Sequence, residues 1–161
     1  MLTRVRKPSP IPRRHVAIVA CMDSRINAEH VLGYELGDAH VLRNAGAVVT
    51  DDVLRSLILS QRVLQTRSVV ILAHTDCGLC GMRDDEFAET LARETGHKPP
   101  FTLGGFTNVD QHVRQQLARV QSCLWLPHVH DVRGYVVDVV TGEVRAVAAS
   151  DGDRPKHERA S

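Results

Sequence analysis

Residues His15 to Ala20 (HVAIVA) form a short apolar run, with arginines before it and polar residues after it. A Val- and Ile-rich run of this kind predicts a strand buried on both faces, its C-terminal end opening into a loop. The segment NAEHVLGYEL follows and predicts a short helix with Asn27 as its N-cap. AHVLRNAG predicts a second strand running into a glycine turn. TDDVLRSLILSQRVLQ carries the clearest helical signature: Thr50 as cap, Asp51 and Asp52 at the positive end of the dipole, and an apolar stripe of Val53, Leu54, Leu57, Ile58 and Leu64. SVVILAH is the most hydrophobic of the predicted strands and places His74 at its C-terminal end.

Beyond the 74–81 loop, residues 83–94 predict a polar helix, and ETGHKPPFTLGGFTN, with its Gly and Pro, a loop. Val109, Val113, Leu117, Val120 and Leu124 then recur at helical spacing. VRGYVVDVVTGEVRAVA alternates as a hairpin does, with Thr141 and Gly142 at the turn. The order β-α-β-α-β-α-α-β-β predicts an α/β fold, a single domain with a mainly parallel central sheet flanked by helices. Residues 1–13 are expected to be a basic N-terminal arm, 14–149 the folded domain and 150–161 a polar tail. Ligands of such sheets bind outside the carboxyl ends of strands, near the point where strand order reverses. The loops at 21–25 and 74–78 sit at two such ends, which brings Cys21, His74 and Cys77 within reach of one another.

Composition narrows the classes. At 161 residues with 43% hydrophobic and 24% charged positions, the chain has enough apolar surface for a globular core. A net charge of +1 with scattered arginines argues against a nucleic-acid partner. Apolar runs are all shorter than the ~20 residues that span a bilayer, so no membrane partner is expected. VAIVAC is also too short for the h-region of a signal peptide, so the expected location is cytoplasmic. In that compartment Cys21, Cys77, Cys80 and Cys123 suit metal binding, catalysis or burial better than disulfides.

HTDCGLC, residues 74–80, holds two competing patterns: a C-x-x-C dithiol (Cys77, Cys80) and an H-x-x-C metal grip (His74, Cys77). Two thiolates and one imidazole are the protein share of a catalytic zinc site, with the fourth position left for water whose pKa the ion lowers towards ~7. Two thiolates also neutralise the ion, so such a site gains from a nearby hydrogen-bond acceptor for the water. Asp23 fits that role, and Arg25 can hold its carboxylate ionised through a bidentate pair. If the stretch is extended, Cys21, Asp23 and Arg25 all point the same way.

CMDSR at 21–25, RNAG at 43–46 and HTDCG at 74–78 resemble the motifs of the β-class carbonic anhydrases, in particular their short bacterial branch. The resemblance spans most of residues 14–145. It implies a sheet of order 2-1-3-4 with an antiparallel edge strand, and one Zn²⁺ per subunit held by Cys21, His74 and Cys77. It also implies an Asp23–Arg25 catalytic dyad and a substrate pocket lined by the backbone of Gly78. In some members the aspartate closes the site, so Asp23 is also a candidate fourth ligand. The implied activity is reversible hydration of CO₂ to bicarbonate by a homodimer or dimer of dimers.

Some relatives hydrolyse carbonyl sulfide or carbon disulfide with the same ligands, which is the alternative reading. A non-catalytic zinc or redox-sensing protein is a third, disfavoured because structural zinc sites are normally closed by four protein ligands. With zinc claiming Cys77, Cys80 becomes a bystander; Cys123 reads as a buried small hydrophobe, Asp76 as a loop-stabilising residue with support of a metal ligand as its alternative, and His128 and His130 as surface histidines with a metal-binding pair as theirs. Two features depart from the family pattern. Few residues precede the first strand, so the arm that wraps the partner is expected to be short, and the glutamine that plant-type members carry there is absent.

Overall fold

The structure, a computed structural model, describes residues 9–149. The expected tail at 150–161 and residues 1–8 of the expected arm lie outside the described residues. The strands are β1 (Val16–Cys21), β2 (Ala39–Asn44), β3 (Ser68–His74), β4 (Val132–Val137) and β5 (Val144–Val147). The helices are α1 (Ala28–Val31), α2 (Asp51–Arg62), α3 (Asp84–Thr95) and α4 (Val109–Gln121). One sheet runs β2-β1-β3-β4-β5, parallel except for the antiparallel β4–β5 pair. This is the expected strand order, with β5 as the antiparallel edge.

The two most apolar runs take the central places. β1 is buried at every position, and β3 at every position after Ser68. Alternate residues feed opposite faces. Ala17, Val19, Val69 and Ile71 pack with Val53 and Leu57 of α2 and Val113, Leu117 and Val120 of α4. Val16, Ile18, Ala20, Val70 and Leu72 pack with Ile26, Ala28, Val31 and Tyr34 on the other face.

Local chemistry sets the helix starts. Asn27, Thr50 and Asn108 each accept a backbone N–H from the first turn that follows. α3 begins without such a cap and buries none of its residues. Among the described residues no helix is long and apolar enough to cross a membrane.

The helical expectation overreached at three ends. Of the NAEHVLGYEL segment only α1, Ala28–Val31, is helical, and Gly33 turns the chain with φ 71°. α2 stops at Arg62, and Gln65 turns the chain with φ 63°, so Leu64 lies outside the helical stripe. α4 stops at Gln121. The turn that follows points Cys123 and Leu126 inward and leaves Leu124 90% exposed. Cys123 is a buried core residue, as expected.

Helix α4 and β4 meet at Gly134, where an added Cβ would lie 2.4 Å from Val113 Cγ1 and 3.1 Å from Leu117 Cδ1. Both the valine and the leucine are fully packed, so neither can yield cheaply. Gly134→Ala is expected to lower stability by about 1–3 kcal/mol through overpacking, read as a drop in the urea midpoint. An unchanged midpoint would show that α4 can slide on the sheet.

Candidate metal centre

Cys21 and His74 are the last residues of β1 and β3, adjacent parallel strands that end at the same edge. Cys77 comes from the loop that His74 begins. Thr75 fastens that loop to β4: its N–H donates to the Val137 carbonyl (3.0 Å), and its Oγ1 accepts the Val139 N–H (3.1 Å). Cys80 N–H donates to the Cys77 carbonyl at 2.9 Å and tightens the turn. The ligand atoms of Cys21, His74 and Cys77 then lie within 4.8 Å of one another, all three residues buried. Among the described residues this is the group that could hold a metal ion.

His74 is oriented for that task. Its Nδ1–H donates to the Thr75 carbonyl at 2.7 Å, which fixes the tautomer and leaves Nε2 as the free lone pair. Among the described residues Nε2 is buried without a hydrogen-bond partner. An orphaned buried acceptor is costly, and here it faces two thiols. Burial opposes the Cys21 thiolate, but His74 and the N–H groups of Asp23 and Gly46 outweigh it and bring the thiol down to about 7. Burial and the Cys21 charge push Cys77 up despite the Leu79 N–H. Burial works against the charged form of His74 too, yet Cys21, Thr75 and Asp23 raise it. The donor set, two sulfurs and one imidazole nitrogen, is one that zinc accepts.

Asp23 stands beside this cluster, its Oδ2 3.8 Å from His74 Nε2. Arg25 grips it in a fork, Nε to Oδ1 at 2.9 Å and Nη2 to Oδ2 at 2.7 Å. That hydrogen-bonded pair holds the Asp23 carboxyl well below the usual carboxylate range. The stretch is not extended as the alternation suggested. Asp23 Oδ1 also accepts the Arg25 backbone N–H (2.9 Å), and Ile26 N–H closes back on the Asp23 carbonyl. An aspartate that captures the backbone two residues on makes a turn. The dyad therefore forms through a local turn instead of strand alternation.

A family model described as carbonic anhydrase matches residues 16–116. Beta-carbonic anhydrase 1 of Mycobacterium tuberculosis is 45% identical over 141 residues, covering 87% of this chain and 86% of that one. The crystal structure of a carbonic anhydrase from Streptococcus mutans superimposes with a TM-score of 0.83 at 41% identity, over 89% of this chain and 87% of that one. This chain belongs to the carbonic anhydrase family, in its β class. A carbon disulfide hydrolase from Acidithiobacillus thiooxidans is also similar, 29% identical over 88% of this chain and 81% of that one.

Set against the β-carbonic anhydrase motifs, the structure brings together Cys21, Asp23, Arg25, His74 and Cys77 as a unit. Gly78 follows Cys77 on the exposed side of the loop, and a Cβ there would meet nothing within 4 Å. Cys80 is exposed and directs its sulfur towards the Thr107 carbonyl. His128 and His130 are exposed and join no metal-capable group among the described residues.

The sequence reading gave RNAG no role, and two of its residues serve the centre. Arg43 donates through Nε to the Cys21 carbonyl (3.1 Å) and through Nη2 to the Asp23 carbonyl (2.7 Å), fastening the turn that carries the dyad. Gly46 N–H reaches the Cys21 sulfur at 3.4 Å. Asp76 is more than a loop residue as well: its Oδ2 and its carbonyl accept Arg25 Nη1 (2.8 Å) and Nη2 (2.9 Å), tying the two loops together. The available signal was position, since RNAG ends a third parallel strand at the same edge.

Proposed function

We propose that this chain is a zinc lyase that hydrates CO₂ reversibly to bicarbonate, with one zinc per subunit held by Cys21, His74 and Cys77. The observation that carries the reading is the convergence of the unpartnered His74 Nε2 with two buried cysteine sulfurs. When bound there, the ion supplies the Lewis acidity that lets water act as a nucleophile near neutral pH. Asp23 is the acceptor that orients that water, and Arg25 keeps the carboxylate ionised and aimed. Arg25 in turn is held by Asp76, so the dyad cannot drift from the ligands independently of the 74–77 loop. Closure of the site by Asp23 as a fourth ligand would require breaking the two-pronged Arg25 contact, leaving Arg25 on Asp76.

Gly78 is proposed to line the substrate pocket with its backbone. Because a side chain at 78 meets open space, Gly78→Ala is expected to leave stability within about 0.5 kcal/mol of the parent and to raise KM. An unchanged KM would remove Gly78 from the pocket.

Stopped-flow CO₂ hydration on zinc-quantified protein tests the function. Fast, zinc-dependent hydration supports it; zinc-replete protein without hydration overturns it. The carbon disulfide hydrolase similarity favours one alternative, hydrolysis of carbonyl sulfide or carbon disulfide at the same site. Sulfide release from those gases, with CO₂ hydration absent, would establish that alternative.

A homodimer or dimer of dimers is the proposed assembly. Supporting it, α3 buries none of its residues, and Phe87 and Phe101 stand 44% and 69% exposed. An open groove lined by Val48, Thr50, Phe101, Gln116 and Arg119 adds to that surface. A monomer mass by light scattering would exclude the assembly. The proposed location is cytoplasmic, supported by four unpaired cysteines. Recovery of the protein from an oxidising compartment would contradict it.

A further inference from the structure

We propose that His112 is a positioning residue of the metal centre, holding the Gly46 segment whose N–H is given to the Cys21 sulfur. The inference rests on the reading of Cys21 as a metal ligand and adds a part to it. His112 lies on α4, is only 4% exposed, and belongs to none of the motifs. Its Nε2–H donates to the Gly46 carbonyl at 2.7 Å. Gln116 fixes the ring: its Nε2 donates to His112 Nδ1 (3.4 Å) while its Oε1 accepts the Val49 N–H (2.8 Å). Both ring nitrogens are thereby satisfied in the neutral tautomer, and burial holds the imidazole in that uncharged form. One turn of α4 thus grips the 46–49 segment at two points.

The same ring reaches the other metal-bearing loop. Phe106 stacks on His112 with centroids 4.1 Å apart and planes 16° from parallel. Phe106 in turn donates its N–H to the Leu79 carbonyl (3.2 Å), and its carbonyl accepts the Gly81 N–H (2.6 Å). Leu79 packs directly against Gly46, where a Cβ would fall 2.8 Å from Leu79 Cδ2. Gly46 has φ 79°, the left-handed region where glycine is favoured. His112 therefore couples, through one buried ring, the N–H donor to Cys21 and the strand-like end of the Cys77 loop. An N–H donated to a thiolate withdraws charge from sulfur, so the position of Gly46 sets how strongly Cys21 gives electrons to a metal.

Two substitutions separate the ring's two contacts. His112→Phe keeps a stacking surface and loses the donor; His112→Gln keeps a donor near the Nε2 position and loses the stack. Each is loaded with cobalt(II), and the sulfur-to-cobalt charge-transfer band is recorded alongside the rate of zinc release to a chelator. In His112→Phe the band is expected to move to lower energy, because a sulfur relieved of its N–H donor is easier to oxidise. Zinc is expected to leave about tenfold faster, because Cys21 is no longer held in place, the lower end of the effect of outer partners of metal ligands. His112→Gln is expected to restore the band. A simple loss of packing would not move the band and would not be rescued by Gln. A parental band in His112→Phe, or equal shifts in both variants, overturns the proposal while leaving the metal reading intact. Parent protein that takes up no cobalt overturns both. Should His112→Phe fail to fold, a displaced band in His112→Gln overturns the proposal and a parental one supports it.

Discussion

His74→Ala is expected to yield a folded chain that no longer retains zinc and no longer hydrates CO₂. The imidazole is buried and its Nε2 has no hydrogen-bond partner among the described residues, so truncation removes an unsatisfied polar atom along with some packing and the Nδ1–H bond to the Thr75 carbonyl. The strand that carries it is fastened by its neighbours β1 and β4 and by Thr75, and these contacts survive. The consequence for the metal is different. Structural zinc sites release about 10–16 kcal/mol on binding, so one of three protein ligands is worth several kcal/mol, or roughly a thousandfold or more in affinity. Metal analysis after dialysis against a weak chelator, with a thermal melt, measures both halves. Stoichiometric zinc in His74→Ala would exclude His74 as a ligand.

The proton linkage of that site has a definite sign. Cys21, brought down to about 7, Cys77, pushed up, and His74, raised, must all be deprotonated at the ligating atom to bind. Zinc uptake is therefore expected to release protons and to weaken as pH falls from about 8 to about 5.

The parts of this fold that were legible in the amino-acid sequence are those in which local chemistry and burial agree. β3 occupies Ser68–His74 as read, because an unbroken apolar run fits only a central parallel strand. The caps Asn27 and Thr50 were legible because a side-chain acceptor at the start of an apolar stripe has one efficient use. The convergence of Cys21, His74 and Cys77, which could hold a metal ion, could be read because strand ends in α/β sheets converge. What could not be read is carried by main-chain atoms and by contacts far apart in sequence. The Gly46 N–H and the Arg43 grip on two carbonyls leave no periodic trace, and His112 meets Gly46 across 66 positions. The Asp23 turn was misread because alternation and a side-chain-capped turn both bring residues 23 and 25 together, and only the captured N–H distinguishes them.

Asp23→Asn separates chemistry from metal binding, and it is expected to lower kcat for CO₂ hydration by about 10²–10⁴-fold, the range for a positioned proton acceptor, with zinc retained. The substitution is nearly isosteric. The amide oxygen of the variant can still accept the Arg25 backbone N–H, so the turn persists. The amide nitrogen would face Arg25 Nη2, donor against donor, where the carboxylate now accepts at 2.7 Å. Arg25 then leans on Asp76, whose two acceptors remain in place.

Because Arg25 holds the Asp23 carboxyl well below the usual carboxylate range, Asp23 is ionised throughout the neutral region. Any activity limb between about pH 6 and about pH 9 must then come from another group, and the Asp23→Asn variant should keep that limb at lower amplitude. Asp23 adds stability that is fully present above the unfolded carboxyl value of about 3.9 and is lost as pH falls through the lower folded value. Acid unfolding of Asp23→Asn should accordingly begin from a less stable baseline and respond less steeply. A variant with full zinc and parental kcat would remove Asp23 from the reaction and leave Arg25 and Asp76 as loop fasteners alone.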